Sequence, residues 1–180
     1  MDEYKVYVST NPVGKAQPGY GLFVGLGIFV EITNRQKPPI LFSDSAGQNI
    51  PVIAAEAMGL CEILFPKLEN WFNGSSVTVF SKSQEVMKIV ALVRMGDVEL
   101  ARKVLIEAGI NNQDLEFVIE LWTDLFDTAK ERNIKLSWVF FEQGRRLKQM
   151  DTAQEAAEEN AFSTLAQQQG AVQEQVGHVH

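Results

Sequence analysis

The chain has 180 residues, 46% hydrophobic and 22% charged, the balance of a globular domain rather than a disordered chain. Its lone cysteine, Cys61, excludes an internal disulfide framework and a paired-cysteine metal knuckle, and fits a reducing compartment. Both histidines, His178 and His180, fall in the last three residues, which removes Ser-His-Asp hydrolysis, Cys-His proteolysis and His-rich zinc sites from the expected core.

Formal net charge is −7, from 23 acidic and 16 basic residues, which at face value argues against nucleic acid. The charge is unevenly placed. Residues 151–180 hold Asp151, Glu155, Glu158, Glu159 and Glu174 with no Lys or Arg, leaving 18 acids against 16 bases in residues 1–150. Asp2, Glu3 and Lys5 stand where a secretory signal would build its apolar region. The most apolar stretch, Gly19–Ile32, is shorter than the roughly 20 residues of a spanning helix and is interrupted by glycines. The expectation is an intracellular, cytoplasmic protein with no membrane segment.

In chain order, Lys5–Ser9 alternates like a strand and stops at the turn cluster Asn11–Gly14. Tyr20–Ile32 reads as a second strand, and Ile40-Leu41-Phe42 as a short third followed by a loop at Ser43–Gly47. Short connections predict an antiparallel meander. From Ile50 to Trp71 apolar residues recur at helical spacing, with Pro66 a potential kink. Val77–Phe80 reads as a fourth strand. Ser83 opens a helix to Met95, Val98–Ala108 is another, and Asp114–Arg132 is a long amphipathic third. Ile134–Phe140 reads as a fifth strand and Ala153–Gln169 as a last helix. Residues 163–180, acidic and Gln-rich, read as a flexible tail on a domain of residues 1–162.

Four patches in this order carry a resemblance. They are Gly14…Pro18-Gly19-Tyr20-Gly21, the helix Ala55-Glu56-Ala57-Met58-Gly59-Leu60, the strand end Val77–Gln84, and Glu120-Leu121-Trp122 through Trp138-Val139. Together, over about Lys5–Ala161, they resemble the type I ribonuclease H family. The resemblance implies an α/β fold: a mixed five-stranded sheet, with strands 1–3 an antiparallel meander followed by strands 4 and 5, flanked by helices. It also implies two-metal phosphodiester cleavage, in which four carboxylates hold two divalent ions.

Carried over residue by residue, that implied metal site is degenerate. The first-strand aspartate falls at Ser9 or Thr10, the helix glutamate is kept as Glu56, and the aspartate after strand four falls at Lys82, beside Ser83. The last-helix aspartate falls at Glu155, or at Asp151 under another threading, and a loop histidine falls near Glu142. Two of the four carboxylates are thus replaced, by Ser9/Thr10 and Lys82, and the expectation is a site without metal or cofactor that is catalytically inactive. An ion pair from Lys82 to Glu56 or Glu155 is the expected substitute.

Individual residues remain open to two readings. Glu56 is a ligand remnant or a solvated helix residue, and Lys82 a phosphate contact or an ion-pair partner. Gly144-Arg145-Arg146-Leu147-Lys148 is a basic loop or ordinary solvated surface. The segment Met95–Asp114 is not basic, its apolar residues read as core, and one member each of Trp71-Phe72 and Phe140-Phe141 is a candidate exposed anchor. The leading functional expectation is a noncatalytic nucleic-acid-binding module (RNA, DNA or hybrid backbone) using Lys82, Ser83, Arg145, Arg146 and Lys148. The alternative is a protein-interaction scaffold. A third reading is a divergent Mg²⁺-dependent nuclease built on Glu56, Glu155, Asp151 and Asp44.

Overall fold

The computed structural model describes residues 1–177 apart from 69 and 143. Five strands form one sheet: β1 (Glu3–Val13), β2 (Tyr20–Ile32), β3 (Ile40–Pro51), β4 (Ser76–Ser81) and β5 (Lys135–Phe140). Their spatial order is β3-β2-β1-β4-β5. The first three are antiparallel, while β4 runs parallel to β1 and β5 parallel to β4. This is the mixed sheet expected from the sequence. The carboxyl ends of β1, β4 and β5 consequently emerge along one edge of the molecule.

Strand periodicity divides the core into two layers. On β1, Val6 and Val8 join the main cluster with Ile53, Ala57, Leu105, Val118, Trp122 and Leu125, whereas Tyr7 packs with Phe141, Met150 and Ala153. Successive side chains alternate across the pleat, so one strand feeds both layers. Helices α1 (Val52–Met58), α3 (Gln84–Met95), α4 (Val98–Glu107) and α5 (Asn112–Glu131) cover the first face. Helix α6 (Lys148–Gly177) covers the second. None of the described helices is long and apolar enough to cross a membrane.

The approach of α6 to the sheet is set by residues without side chains. Gly25 and Gly27 of β2 lie under Ala153, Ala157 and Ala161, which recur every fourth residue along one helix face. A Cβ on Gly27 would overlap the backbone carbonyl of Ala153, and one on Gly25 that of Ala157. Helix and strand therefore meet backbone to backbone.

Four expectations need correction. The first strand does not stop at Asn11: β1 runs on to Val13, with Asn11, Pro12 and Val13 paired with Gly25, Val24 and Phe23 of β2, and Pro12 is tolerated because β4 pairs with β1 only as far as Tyr7, leaving that side of the strand open. The third strand does not end at Phe42: Ser43, Asp44 and Ser45 pair with Gly27, Leu26 and Gly25. The polar run is tolerated because β3 is an edge strand, pairing on one side only. The register shifts opposite Val24/Gly25, which leaves Ala46 unpaired and buried, and Gly47 follows at φ 121°, the geometry of a β-bulge. The first helix is not uniform either: α1 widens into a π-helical stretch at Gly59–Leu64, then closes as α2 (Phe65–Lys67). The widening ends just before Pro66, which has no amide proton for the ladder.

The last helix begins at Lys148 and runs to Gly177, so the expected tail from residue 163 continues as helix; residues 178–180 lie outside the described residues. Ala, Glu and Gln dominate this segment, and these are strong helix formers.

Local signals otherwise hold. Ser83 caps α3, accepting from the Val86 amide at 3.2 Å, and Gly96 ends it in the left-handed region. Asp97 likewise caps α4. In the segment Met95–Asp114, Ala101 and Leu105 are core while Leu100 and Ile106 are exposed. Phe72 and Phe141 are buried, and their neighbours Trp71 and Phe140 are half-buried rather than free anchors.

Gly27→Ala is expected to force α6 off the sheet. Overpacking at a rigid backbone contact costs about 3 kcal/mol or more, which for a chain of this size lowers the melting temperature by about 10 °C. Circular-dichroism melting of the variant beside the parent chain measures it.

Candidate functional site

Where the carboxyl ends of β1 and β4 separate, a pocket of about 270 Å³ opens, lined by Val8, Ser9, Thr10, Glu56, Lys82, Ser83, Glu85 and Gln154. Four elements contribute: β1 brings Ser9 and Thr10, α1 brings Glu56, the end of β4 leads into Lys82 and Ser83, and α6 brings Gln154. Ser9, just past the point where β1 stops pairing with β4, and Ser81, the last residue of β4, are buried polar residues. They face opposite layers, Ser9 toward α6 and Ser81 toward α1.

Glu56 is 3% exposed, so it is not a solvated helix residue. One carboxylate oxygen accepts from the Ser81 hydroxyl at 2.8 Å; the other finds no donor among the described residues. Ser81 in turn accepts from the Ser83 amide at 3.1 Å. Burial pushes the Glu56 carboxyl up from 4.5 to about 7, and the Ser81 hydrogen bond, which favours the ionised form, only partly opposes it.

Lys82 is exposed and makes no ion pair, so the expected bridge to Glu56 or Glu155 is absent among the described residues. The geometry explains this. Glu56 lies behind Ser81 in the first layer, while Lys82, one residue beyond the strand end, turns outward where its charge stays hydrated.

On α6 the residue that faces the pocket is Gln154, not Glu155 or Asp151. The Ser9 hydroxyl bonds to Oε1 of Gln154, whose Nε2 donates to Glu158 Oε1 at 3.0 Å. A carboxylate can only accept, which fixes the amide with its NH₂ toward Glu158 and its carbonyl toward Ser9. Glu155, one residue on, is rotated about 100° around the helix and lies with Glu158, Glu159, Phe162 and Ser163 on another surface. Asp151 is exposed in the first turn of α6. Asp44 is held in β3, with Lys67 at 4.0 Å.

Gln154 and Glu85 are the pocket residues that sequence reasoning missed. Gln154 follows Ala153 of the small-residue stripe packed on β2, the one pattern that marks which side of α6 reaches β1. Glu85 is exposed in the first turn of α3, where its carboxylate accepts from the Ser83 hydroxyl at 3.3 Å.

The donors lining the pocket are few for a pair of divalent ions. Such ions need several anionic oxygens. The pocket offers one buried carboxylate, Glu56, and one exposed at its rim, Glu85; Ser9 and Gln154 satisfy each other, and Lys82 adds a positive charge. Among the described residues no group of three or more His, Cys, Asp or Glu side chains is placed to hold a metal. The residues present do not fit the two-ion arrangement that the resemblance implies.

Lys82 is not alone at this edge. Phe141 donates its amide to the Ser81 carbonyl at 2.7 Å, tying the segment after β5 to the end of β4. Arg145 then stacks its guanidinium over the Phe141 ring at 5.8 Å. Arg145, Arg146 and Lys148 are all exposed, Lys148 being the first residue of α6 rather than part of a loop.

No protein-family model matches the sequence, and no curated protein matches it. Solved structures do resemble the fold. Ribonuclease H1 from the archaeon Halobacterium salinarum superposes with a TM-score of 0.56 at 13% identity, covering 89% of this chain and 98% of that one. LC11-RNase H1, isolated from compost, gives 0.57 at 18% identity, covering 92% and 99%. Prototype foamy virus protease-reverse transcriptase gives 0.57 at 15% identity, covering 89% of this chain and 21% of that one. The fold is ribonuclease H-like.

The buried carboxyl makes stability pH-dependent. The Glu56 pKa is higher in the folded chain (about 7) than at its ordinary 4.5, so its contribution is fully present below pH 4.5 and is lost as pH rises through about 7. Urea titrations at pH 5 and pH 8 are expected to show the parent chain losing on the order of 3 kcal/mol relative to Glu56→Gln, whose amide does not titrate. Parallel pH profiles for the two proteins would remove this role from Glu56.

Proposed function

We propose that the protein is a noncatalytic ribonuclease H-like module that binds the backbone of a nucleic acid across the pocket edge. The observation that carries this reading is a set of exposed cations around the segments that leave β4 and β5: Lys82 one residue past β4, Arg145 over the Phe141 ring, and Arg146 and Lys148 where the chain turns into α6. Lys82, Arg145, Arg146 and Lys148 make no ion pair among the described residues, and beside them the pocket replaces ionic ligands with Ser9 and Gln154. A surface with unneutralised cations attracts phosphate and releases counterions on binding. In parallel α/β sheets the carboxyl edge is also where strand ends leave a crevice for a ligand.

Two further observations agree. The acidic excess lies in residues 151–180 and leaves the rest near neutrality, and its member nearest the pocket, Glu158, is engaged by the Gln154 amide. A structure with the same fold, the foamy viral protease-reverse transcriptase, is solved in complex with dsDNA, with a TM-score of 0.50 at 11% identity. The donor set supports the noncatalytic reading: Glu56 and Glu85 are the carboxylates lining the pocket, fewer than a pair of divalent ions draws on.

Fluorescence anisotropy with labelled single-stranded, duplex and RNA–DNA hybrid oligonucleotides in Mg²⁺ tests the proposal, with the same samples run on a denaturing gel. Binding is expected to weaken steeply with salt while the strands stay intact, and Arg145→Ala/Arg146→Ala is expected to lower affinity on the order of tenfold. Cleaved strands would overturn the noncatalytic assignment. No binding up to high micromolar would turn the function toward a protein partner.

A further inference from the structure

We infer that the pocket is a divalent-independent site for a backbone phosphate, in which the Lys82 ammonium supplies the positive charge that a metal ion would otherwise bring. The inference rests on the nucleic-acid reading and says how the central contact is made. A phosphate at the end of β4 requires a cation within a few ångströms. Lys82 stands at that strand end, lines the pocket, is exposed and has no carboxylate partner among the described residues.

The neighbouring groups leave Lys82 the part. Ser9 and Gln154, on the far wall, are engaged with each other, and Gln154 is further held by Glu158; neither presents a charge that would draw Lys82 away. The amino end of α3, capped by Ser83, opens on the same pocket, and its partial positive charge favours an anion there. Glu56, 97% buried and with one oxygen unpartnered, faces the space from beneath. Burial raises its pKa to about 7, so near neutral pH a large share is protonated, and that form carries no charge to repel phosphate and offers an O–H to the unfilled side. Glu85, at the rim, is the one exposed carboxylate lining the pocket.

A lysine differs from a metal ion in ways a titration reads. Its charge is always present, so affinity does not depend on divalent concentration, and one ammonium releases about one counterion per phosphate.

The test uses the full chain, a labelled single-stranded and a labelled duplex oligonucleotide, and anisotropy in either EDTA or Mg²⁺ at matched ionic strength. Affinity is expected to agree within about twofold between the two buffers. Lys82→Ala is expected to weaken binding roughly five- to tenfold in both and to reduce the salt slope by about one. Lys135→Ala, which removes an exposed charge at the opposite end of the sheet, is expected to leave affinity unchanged. Calorimetric titration with Mn²⁺ adds an arm free of nucleic acid: wild type is expected to give no binding heat, whereas a chain carrying Ser9→Asp, Lys82→Asp and Gln154→Asp takes up the ion. Oligonucleotide binding that requires Mg²⁺, or that is indifferent to Lys82→Ala, overturns this inference alone. Mn²⁺ heat in wild type that disappears in Glu56→Gln overturns it as well. Failure to bind any oligonucleotide overturns the broader reading together with it.

Discussion

The contact on which the rest of the molecule depends is the backbone-to-backbone seat of α6 on β2. Gly25 and Gly27 let the helix come closer than any side chain would allow, and the alanine face at Ala153, Ala157 and Ala161 keeps it there. Dispersion at such a seat is collectively large because both surfaces are flat and close. Its consequence lies one strand away. With the helix held at this height and rotation, Gln154 points at Ser9, and Glu155 necessarily points elsewhere. The pocket wall is therefore set by residues that never touch the pocket.

A second constraint acts from the other layer. Glu56 is carried into the interior by α1, whose neighbours Ile53, Ala54 and Ala57 are all buried, and it meets a single hydroxyl, Ser81. A carboxyl so placed is costly when ionised. Sites with clustered cations repay that cost by charge; here burial raises the carboxyl to about 7, which favours keeping the proton at lower pH. The two layers thus converge on a pocket with one buried carboxyl, Glu56, in its interior and one exposed residue of each sign, Lys82 and Glu85, at its rim.

Much of this was legible in the sequence. Strand and helix periods placed every major element in the right order, because each buries one face and so obeys a simple repeat. The cap at Ser83 and the stop at Gly96 were local chemistry and equally readable. What escaped were features decided by neighbours. Ser43-Asp44-Ser45 looks like a loop, yet β2 offers an open edge to pair with, and edge position outweighs polarity. The tail looked frayed because its composition is polar, although its Leu, Ala, Gln and Glu residues are good helix formers. Gln154 was passed over for Glu155 and Asp151, since an expected carboxylate draws attention to the nearest acid, whereas the facing of α6 is fixed by glycines more than a hundred residues earlier. Glu56 was recognised in place, but its burial, and hence its separation from Lys82, belongs to tertiary packing.

The wide sequence span of the pocket has a kinetic side. The bond from Ser9 to Gln154 joins residues 145 positions apart, and β4 reaches β1 only by a parallel crossover. Such closures yield no contact energy until most of the chain is already ordered, so they come late and slowly. The meander β1–β3 closes locally and needs none of them. A nascent chain therefore exposes its first three strands well before α6 exists to cover their second face, and during that interval Gly25 and Gly27 present a bare, flat strip of backbone to the surroundings. The pocket lacks its far wall until the last helix docks, because Gln154, which meets Ser9 there, belongs to α6.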